Sequence, residues 1–410
     1  MTTTHALDFD LSEKEENIRS FLHTFAANAM RPASIIADAN EHQRPMAAIE
    51  ALHQLQSGGV GYRSGSAVDG TGDGSASAKA LVSIIRAEEL SWGAASILLS
   101  RPGPGLGGAA IQASGTPAQK EKWLKRYEDG TVRFGAMALT ESNAGSDVSA
   151  IETTAELRGD HWVLNGSKIF ATNGACADVV VVWATIDKSK GKDGIRAFIV
   201  EKGTPGFTIG RLEHKMGIRA SETAELVFAD CKIPKENLLG EENPSAEKKG
   251  FKGAMATFDL TRPGVAAMAV GIARAALEYT VSVLEAETDG WHAGYGRSRA
   301  HLTALQDAVQ EMDAQIEAAR LLARRAAFLL DQKQSNGLEA SMAKAKAGRV
   351  VVDVCAKCVE LLGPAALTRA HPLEMWLRDS KVFDIFEGTG QVQRLVVARR
   401  ILGYTSKELA

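Results

Sequence analysis

Glu387 stands between Phe386 and the run Gly388-Thr389-Gly390, and a helical pattern of Val392, Leu395, Val396 and Arg399 follows at once. A carboxylate at that place suits two kinds of chemistry. Near a helix start, Asp, Glu and Thr satisfy free N–H groups and the dipole, so a cap is one reading. A general base is the other, because the glycines beside it let a ligand approach the backbone closely. "MALTESNAGSDVSA", Met137 to Ala150, offers the hydroxyls of Thr140, Ser142 and Ser146 beside Gly145. They suit an anionic or polar ligand, or else local hydroxyl-to-backbone bonds. "FATNGACAD", Phe170 to Asp178, sets an aromatic and Thr172 where a strand ends, and "FDLTRP" puts Asp259 and Arg262 one helical turn apart, as in an ordinary ion pair. "GPGLGG", Gly103 to Gly108, follows no strand and lacks dinucleotide spacing. The nine histidines show no ligand spacing, so no metal is expected. Cys355 and Cys358 form a CxxC inside an apolar helical pattern and read as two buried thiols.

The elements that must position these residues change character twice along the chain. Residues 1–133 read as an N-terminal helical domain. It opens with Ser12 and Glu15 in a capping box, followed by Ile18, Phe21, Leu22 and Phe25 at helical spacing. The Gly- and Ser-rich stretch Ser57 to Ala78 is expected to be a loop. Residues 134–246 read as a middle antiparallel β domain. "DVVVVWATI", "IRAFIVEK" and "AELVFADCKI" are rich in β-branched residues, and Asn165-Gly166 predicts a hairpin turn between two apolar runs. Residues 247–410 return to helix, where Val309, Met312, Ile316, Ala319, Ala323, Ala326 and Leu330 share one face, as in a bundle. The fold class is α+β, mainly α. With 45% hydrophobic and 24% charged residues and a formal charge of −3, the composition gives no reason to expect nucleic acid or a membrane span. Four cysteines and an acidic start without a signal core lead to an expected cytoplasmic location.

Seven segments in order, "RAEELS", "GTPAQKEKWL", "ALTESNAGSD", "LNGSKIFATNG", "HKMGIRASETAELVFADCKIP", "TFDLTRPGVAA" and "FEGTGQVQRLVVARRILG", make the chain resemble the acyl-CoA dehydrogenase family over nearly its whole length. The resemblance implies a C-terminal four-helix bundle, FAD as cofactor, and α,β-dehydrogenation of a saturated acyl-CoA thioester to the trans-2-enoyl-CoA. Electrons would pass to an electron-transfer flavoprotein. Such a reaction needs a base for the α-hydrogen and an acceptor for the β-hydride, which a flavin can be and a side chain cannot. Glu387 occupies the family's position for the base, and its N–H, with a flavin hydroxyl, would bind the thioester carbonyl. Some branches carry the base just before the arginine of "FDLTR"; here that place is Thr261. By the same resemblance Leu139, Thr140, Ser146, Phe170, Thr172, Thr389 and Gln391 would hold FAD, and Ser146, Asp259, Arg262 and Gly388 the substrate.

Three departures from the family pattern bear on partners and substrate. The stretch "ETDGWHAGYGRSRAHL" lacks the Arg-x-x-Phe-Gly motif that reaches a neighbouring subunit's FAD, leaving Arg297 or Arg299 as substitutes, and "LLGPAALT" replaces a Gly-Gly-x-Gly loop. A dimer or tetramer of one chain is expected, or a mixed oligomer in which a partner supplies those contacts. The Gly/Ser loop and the small residues of "RPGPGLGGAA" suggest a bulky, branched or cyclic acyl group. The alternatives to the dehydrogenase are a partner subunit that binds no flavin and a flavin oxidase or monooxygenase on the same fold.

Overall fold

The computed structural model describes residues 10–57, 79–241, 252–404 and 408, apart from the side chains of residues 56, 57, 252–257 and 259. The N-terminal part is helical: α1 (Glu13–Phe25), α2 (Arg31–Ala39), α3 (Met46–Ser57), α4 (Lys79–Leu99), α5 (Gly105–Ser114) and α6 (Pro117–Leu124). Ser12 and Glu15 cap α1 reciprocally, each side chain bonding the other's backbone N–H. A π-helical stretch, Ala26–Met30, joins α1 to α2. The Gly/Ser stretch, residues 58–78, lies outside the described residues.

Among the described residues seven strands follow: β1 (Gly135–Ala138), β2 (Thr154–Arg158), β3 (His161–Thr172), β4 (Val179–Thr185), β5 (Ile195–Glu201), β6 (Phe207–Leu212) and β7 (Thr223–Pro234). The sheet runs β1-β4-β2-β3-β7-β6, with β5 also paired to β4. Most pairings are antiparallel, but β1 lies parallel to β4 with Gly135 opposite Val179, and one parallel bridge links β2 to β4. Every residue of β4 is buried, which is why it reads as an unbroken apolar run.

Asn165-Gly166 is not a hairpin turn. The strand β3 continues through it, and the turn is Gly159-Asp160, where Arg158 pairs with His161 and Gly159 has φ 65°. The register shifts between Leu164 and Gly166, so the pair sits in an irregularity of the β3–β7 ladder. Gly166 has φ 142°, and a Cβ there would lie 2.6 Å from Thr153 Oγ1. Asn165 Oδ1 accepts the Asp230 N–H at 2.8 Å, filling the gap in the ladder. Turn-forming chemistry is thus used inside a strand.

The C-terminal part comprises α7 (Lys252–Glu287), α8 (Ala304–Asp331), α9 (Gly337–Leu362), α10 (Leu373–Ser380) and α11 (Gly390–Leu402). The helices α7, α8 and α9 pack on one another, α11 lies on α9, and α4 covers α7 and α8. The α8 face expected to be buried is so from Val309 to Ala326, while Leu330 is partly exposed. Leu260–Glu287 is long and apolar enough to cross a membrane, but it is mostly buried here as the central helix of the bundle. Asp331, at the end of α8, accepts the N–H groups of Ala80 and Leu81 at 2.8 and 3.1 Å and so caps α4. Cys355 and Cys358 are fully buried free thiols.

Candidate active site

The start of α11 is capped by Thr389, whose Oγ1 accepts the Val392 N–H at 3.2 Å. Glu387 is therefore not the cap. Its Oε2 instead accepts a hydrogen bond from Thr261 Oγ1 of α7 at 2.6 Å, across 126 residues of chain. Glu387 has φ 54° and Gly388 φ 88°. A left-handed conformation at a non-glycine residue costs about 1–3 kcal/mol and persists only where its surroundings enforce it. The Phe386 ring meets the buried Phe383 edge-on at 5.1 Å, which anchors the turn just ahead of the carboxylate. Burial pushes the Glu387 carboxyl up from its ordinary pKa. Thr261, Arg262, Lys344 and Arg101 pull the other way and only partly offset that push. A half-buried carboxylate with a raised pKa is a better proton acceptor than a surface glutamate.

A second group of residues is set by the β domain. Lys168 in β3 is fully buried, and its ammonium donates to Leu139 O at 3.0 Å and to Glu141 Oε1 at 2.6 Å. Glu141 also accepts the N–H groups of Glu152 and Thr153. Burial draws the Lys168 ammonium down to about 8, while that ammonium and the two N–H groups outweigh burial at Glu141 and hold its carboxyl below the usual range. The ion pair thereby closes the loop carrying Leu139, Thr140 and Ser146 onto β3. The Ile169 N–H donates to Thr140 O at 2.9 Å, which sets Thr140 beside Phe170. Phe170 is 59% exposed with φ 59°, at a second irregularity of β3 between Lys168 and Ala171. An aromatic left this exposed in a strained conformation is not explained by core packing among the described residues. With the hydroxyls of Thr140, Ser146 and Thr172 nearby in the sequence pattern, it suits a flat ligand with polar edges, as a flavin is.

The two groups meet through α7 and the end of α4. Phe258 of α7 packs on the same apolar cluster as Leu139, and the next turn of α7 presents Thr261 to Glu387. Asn173, one residue past Thr172, donates to Leu99 O at 3.3 Å, and Arg101, two residues beyond Leu99, is among the cations acting on Glu387. Arg262 is buried, Gly388 half-buried and Gln391 exposed on the first turn of α11. The side chain of Asp259 lies outside the described residues. Arg299 is paired with Asp307 at 2.7 Å on the surface, and Arg297 is exposed.

Sequence reasoning missed the Lys168–Glu141 pair and the contact of Thr261 with Glu387. The signals were present: a lysine inside an apolar strand, and the Thr261 position itself, a second place for the base in some branches of the family. The histidines also come together more than their spacing indicates. Glu41, His42 and His214 bring one ligand atom each within 4.8 Å. The Glu41 carboxylate is already engaged by the Lys215 N–H, by His214 and by the Arg219 guanidinium. The glycines of "GPGLGG" serve packing, since a Cβ on Gly107 would collide with the Ala136 carbonyl of β1. They give no support to a widened acyl pocket.

Models of the N-terminal, middle and C-terminal domains of acyl-CoA dehydrogenase match residues 12–131, 136–231 and 248–402. The short-chain specific acyl-CoA dehydrogenase of Clostridium acetobutylicum is 39% identical over 398 residues, 96% of this chain and 100% of that one. The solved structure of butyryl-CoA dehydrogenase from Megasphaera elsdenii is 37% identical, with a TM-score of 0.83 over 97% of this chain and 100% of that chain. A chain solved in work on the electron transferring flavoprotein of Acidaminococcus fermentans and flavin-based electron bifurcation is 38% identical, with a TM-score of 0.82 over 97% and 100%.

Proposed function

Because the chain belongs to the acyl-CoA dehydrogenase family, and is with it an FAD-dependent oxidoreductase, we propose that it dehydrogenates a short acyl-CoA thioester between Cα and Cβ and passes the electrons to an electron-transfer flavoprotein. The observation that carries the reading is Glu387: a carboxylate that caps nothing, stands in a left-handed turn and is oriented by Thr261. In this reading Glu387 takes the α-proton on its carboxylate. Thr261 holds Oε2, so that Oε1 faces the substrate. FAD, when bound, supplies the acceptor for the hydride. Leu139, Thr140, Ser146, Phe170, Thr172, Thr389 and Gln391 hold it, with Thr389 using whatever its capping role leaves free. Ser146, Asp259, Arg262 and Gly388 hold the thioester, and the open backbone at Gly388 leaves room for its carbonyl.

A short acyl group is favoured by the short-chain specific and butyryl-CoA relatives. The case for a bulky one loses its second support with the packing role of Gly107. The likeness to a chain solved alongside an electron transferring flavoprotein supports that class of acceptor. Leu395 and Leu402, seven residues apart on one face of α11, are exposed apolar side chains that suit assembly of several copies. Domain borders near residues 133 and 246 belong to the same reading; among the described residues α6 ends at Leu124 and β1 begins at Gly135, while β7 ends at Pro234 and α7 begins at Lys252. The four free cysteines fit a reducing compartment such as the cytoplasm.

The test is anaerobic addition of acyl-CoAs to the purified flavoprotein. Butyryl-CoA is expected to bleach the flavin, and Glu387→Gln to abolish bleaching while leaving FAD bound. Equal bleaching by wild type and variant refutes the role of Glu387. Bleaching by a cyclic acyl-CoA but not by butyryl-CoA restores the bulky substrate.

A further inference from the structure

Behind the Asp384–Gly390 turn, three buried polar atoms have no hydrogen-bond partner among the described residues: Lys344 Nζ, Asp384 Oδ1 and Gln393 Oε1. Lys344 lies in α9 with 1% of its surface exposed. A lysine so deep is rare unless opposite charge offsets the loss of hydration. A Cβ on Gly348, one turn along α9 from Lys344, would meet Asp384 Oδ1 at 3.1 Å, and one on Gly390, the first residue of α11, would collide with the same oxygen. Gln393 Nε2 reaches back from α11 to Gly388 O at 3.2 Å. Asp384 is thus held between α9 and the turn, and the Lys344 ammonium, one helical turn away on α9, feels the charge of both Asp384 and Glu387. Other groups face Glu387 as well: Thr261 and Arg262 from α7, and Arg101 from the segment after α4. The Lys344 ammonium makes no hydrogen bond to a described residue, so it acts on the carboxylates through space.

We propose that Lys344 is a positioning residue for Glu387: its buried ammonium balances Asp384 beneath the turn and keeps Glu387 ionised in surroundings that favour the neutral acid. The proposal rests on the reading of Glu387 as the base. Burial weakens the ammonium to about 8, against the pull of Asp384 and then Glu387, so its support holds below that pH and fades above it. The two carboxylates compete for one cation, and this gives opposite signs for two substitutions. Removing the cation makes Glu387 harder to ionise. Removing the charge of Asp384 leaves the cation to Glu387 alone and makes it easier.

The experiment uses the FAD-loaded protein and two readouts: the infrared band of the protonated Glu387 carboxyl, assigned by its loss in Glu387→Gln and titrated with pH, and the pH profile of kcat/KM. In Lys344→Met the midpoint rises by about one pH unit or more. Its kcat/KM falls about tenfold on the acid side and rejoins wild type above about pH 8, where the wild-type ammonium discharges. In Asp384→Asn the midpoint falls. A merely structural Lys344 predicts a loss that is uniform across pH with unmoved midpoints, and that result overturns the proposal. Where Lys344→Met fails to fold, Lys344→Gln takes its place with the same expected rise, and an unmoved midpoint there overturns the proposal. An inactive Glu387→Gln with unmoved midpoints strikes this proposal and leaves the base intact, whereas turnover surviving in Glu387→Gln strikes both.

Discussion

Replacing Lys168 by Met removes one partner of a fully buried ion pair and keeps most of the side-chain volume. The loss has three parts: the 2.6 Å bond to Glu141, the 3.0 Å bond to Leu139 O, and the neutralisation of a carboxylate that is itself 8% exposed. Breaking a buried pair from one side costs about 3–5 kcal/mol, because the remaining charge stays desolvated. Glu141 keeps the N–H groups of Glu152 and Thr153, which places the expected loss near the lower end, about 3 kcal/mol. Urea unfolding near pH 7 measures it as a fall in midpoint at unchanged slope. Adding Glu141→Gln removes the orphaned charge, so the double variant is expected to recover about 2 kcal/mol relative to Lys168→Met, and the coupling of the pair is that recovery plus the cost of Glu141→Gln alone. The loop these residues close carries Leu139, Thr140 and Ser146, which the proposed function gives to FAD, so on that proposal the FAD content of the purified variant is expected to fall together with stability. A loss under about 1 kcal/mol, or a double variant that is simply additive, refutes the claim that this pair fastens the loop.

Two further outcomes follow from contacts away from Glu387. A Cβ on Gly271 of α7 would run into the Glu88 carbonyl of α4, so Gly271→Ala is expected to force the two helices apart and lose about 1–3 kcal/mol in thermal or urea unfolding, whereas unchanged stability refutes that close approach. Burial opposes ionisation of Glu41, but the Lys215 N–H, His214 and Arg219 outweigh it and bring its carboxyl from 4.5 to about 2. A depressed carboxyl gives stability that is fully present above pH 4.5 and is lost as pH falls through about 2. Glu41→Gln should therefore flatten the acid side of the stability curve in that window, and a variant curve parallel to wild type would count against it.

What the sequence made legible were the features whose cause is local. The capping box at Ser12 and Glu15, the buried face of α8 and the apolar run of β4 each follow from neighbours a few residues away, and the structure has all three. Asn165-Gly166 misled because the same backbone freedom that closes a hairpin also lets a strand shift register where Thr153 presses against it; the sequence pair specifies a conformation, not the element that uses it. The candidate site was legible in its principal residue and illegible in its supports. Glu387 stands out by its glycine neighbours, but Thr261 reaches it across 126 residues, and Lys168 meets Glu141 across 27. A lysine on an apolar strand and a lysine in an apolar helix, Lys168 and Lys344, are the two sequence signs that would have pointed there. Neither charge is tolerable in a core without a carboxylate nearby, and in this chain the carboxylates nearby are those of the loop carrying Leu139, Thr140 and Ser146 and of the turn that bears Glu387.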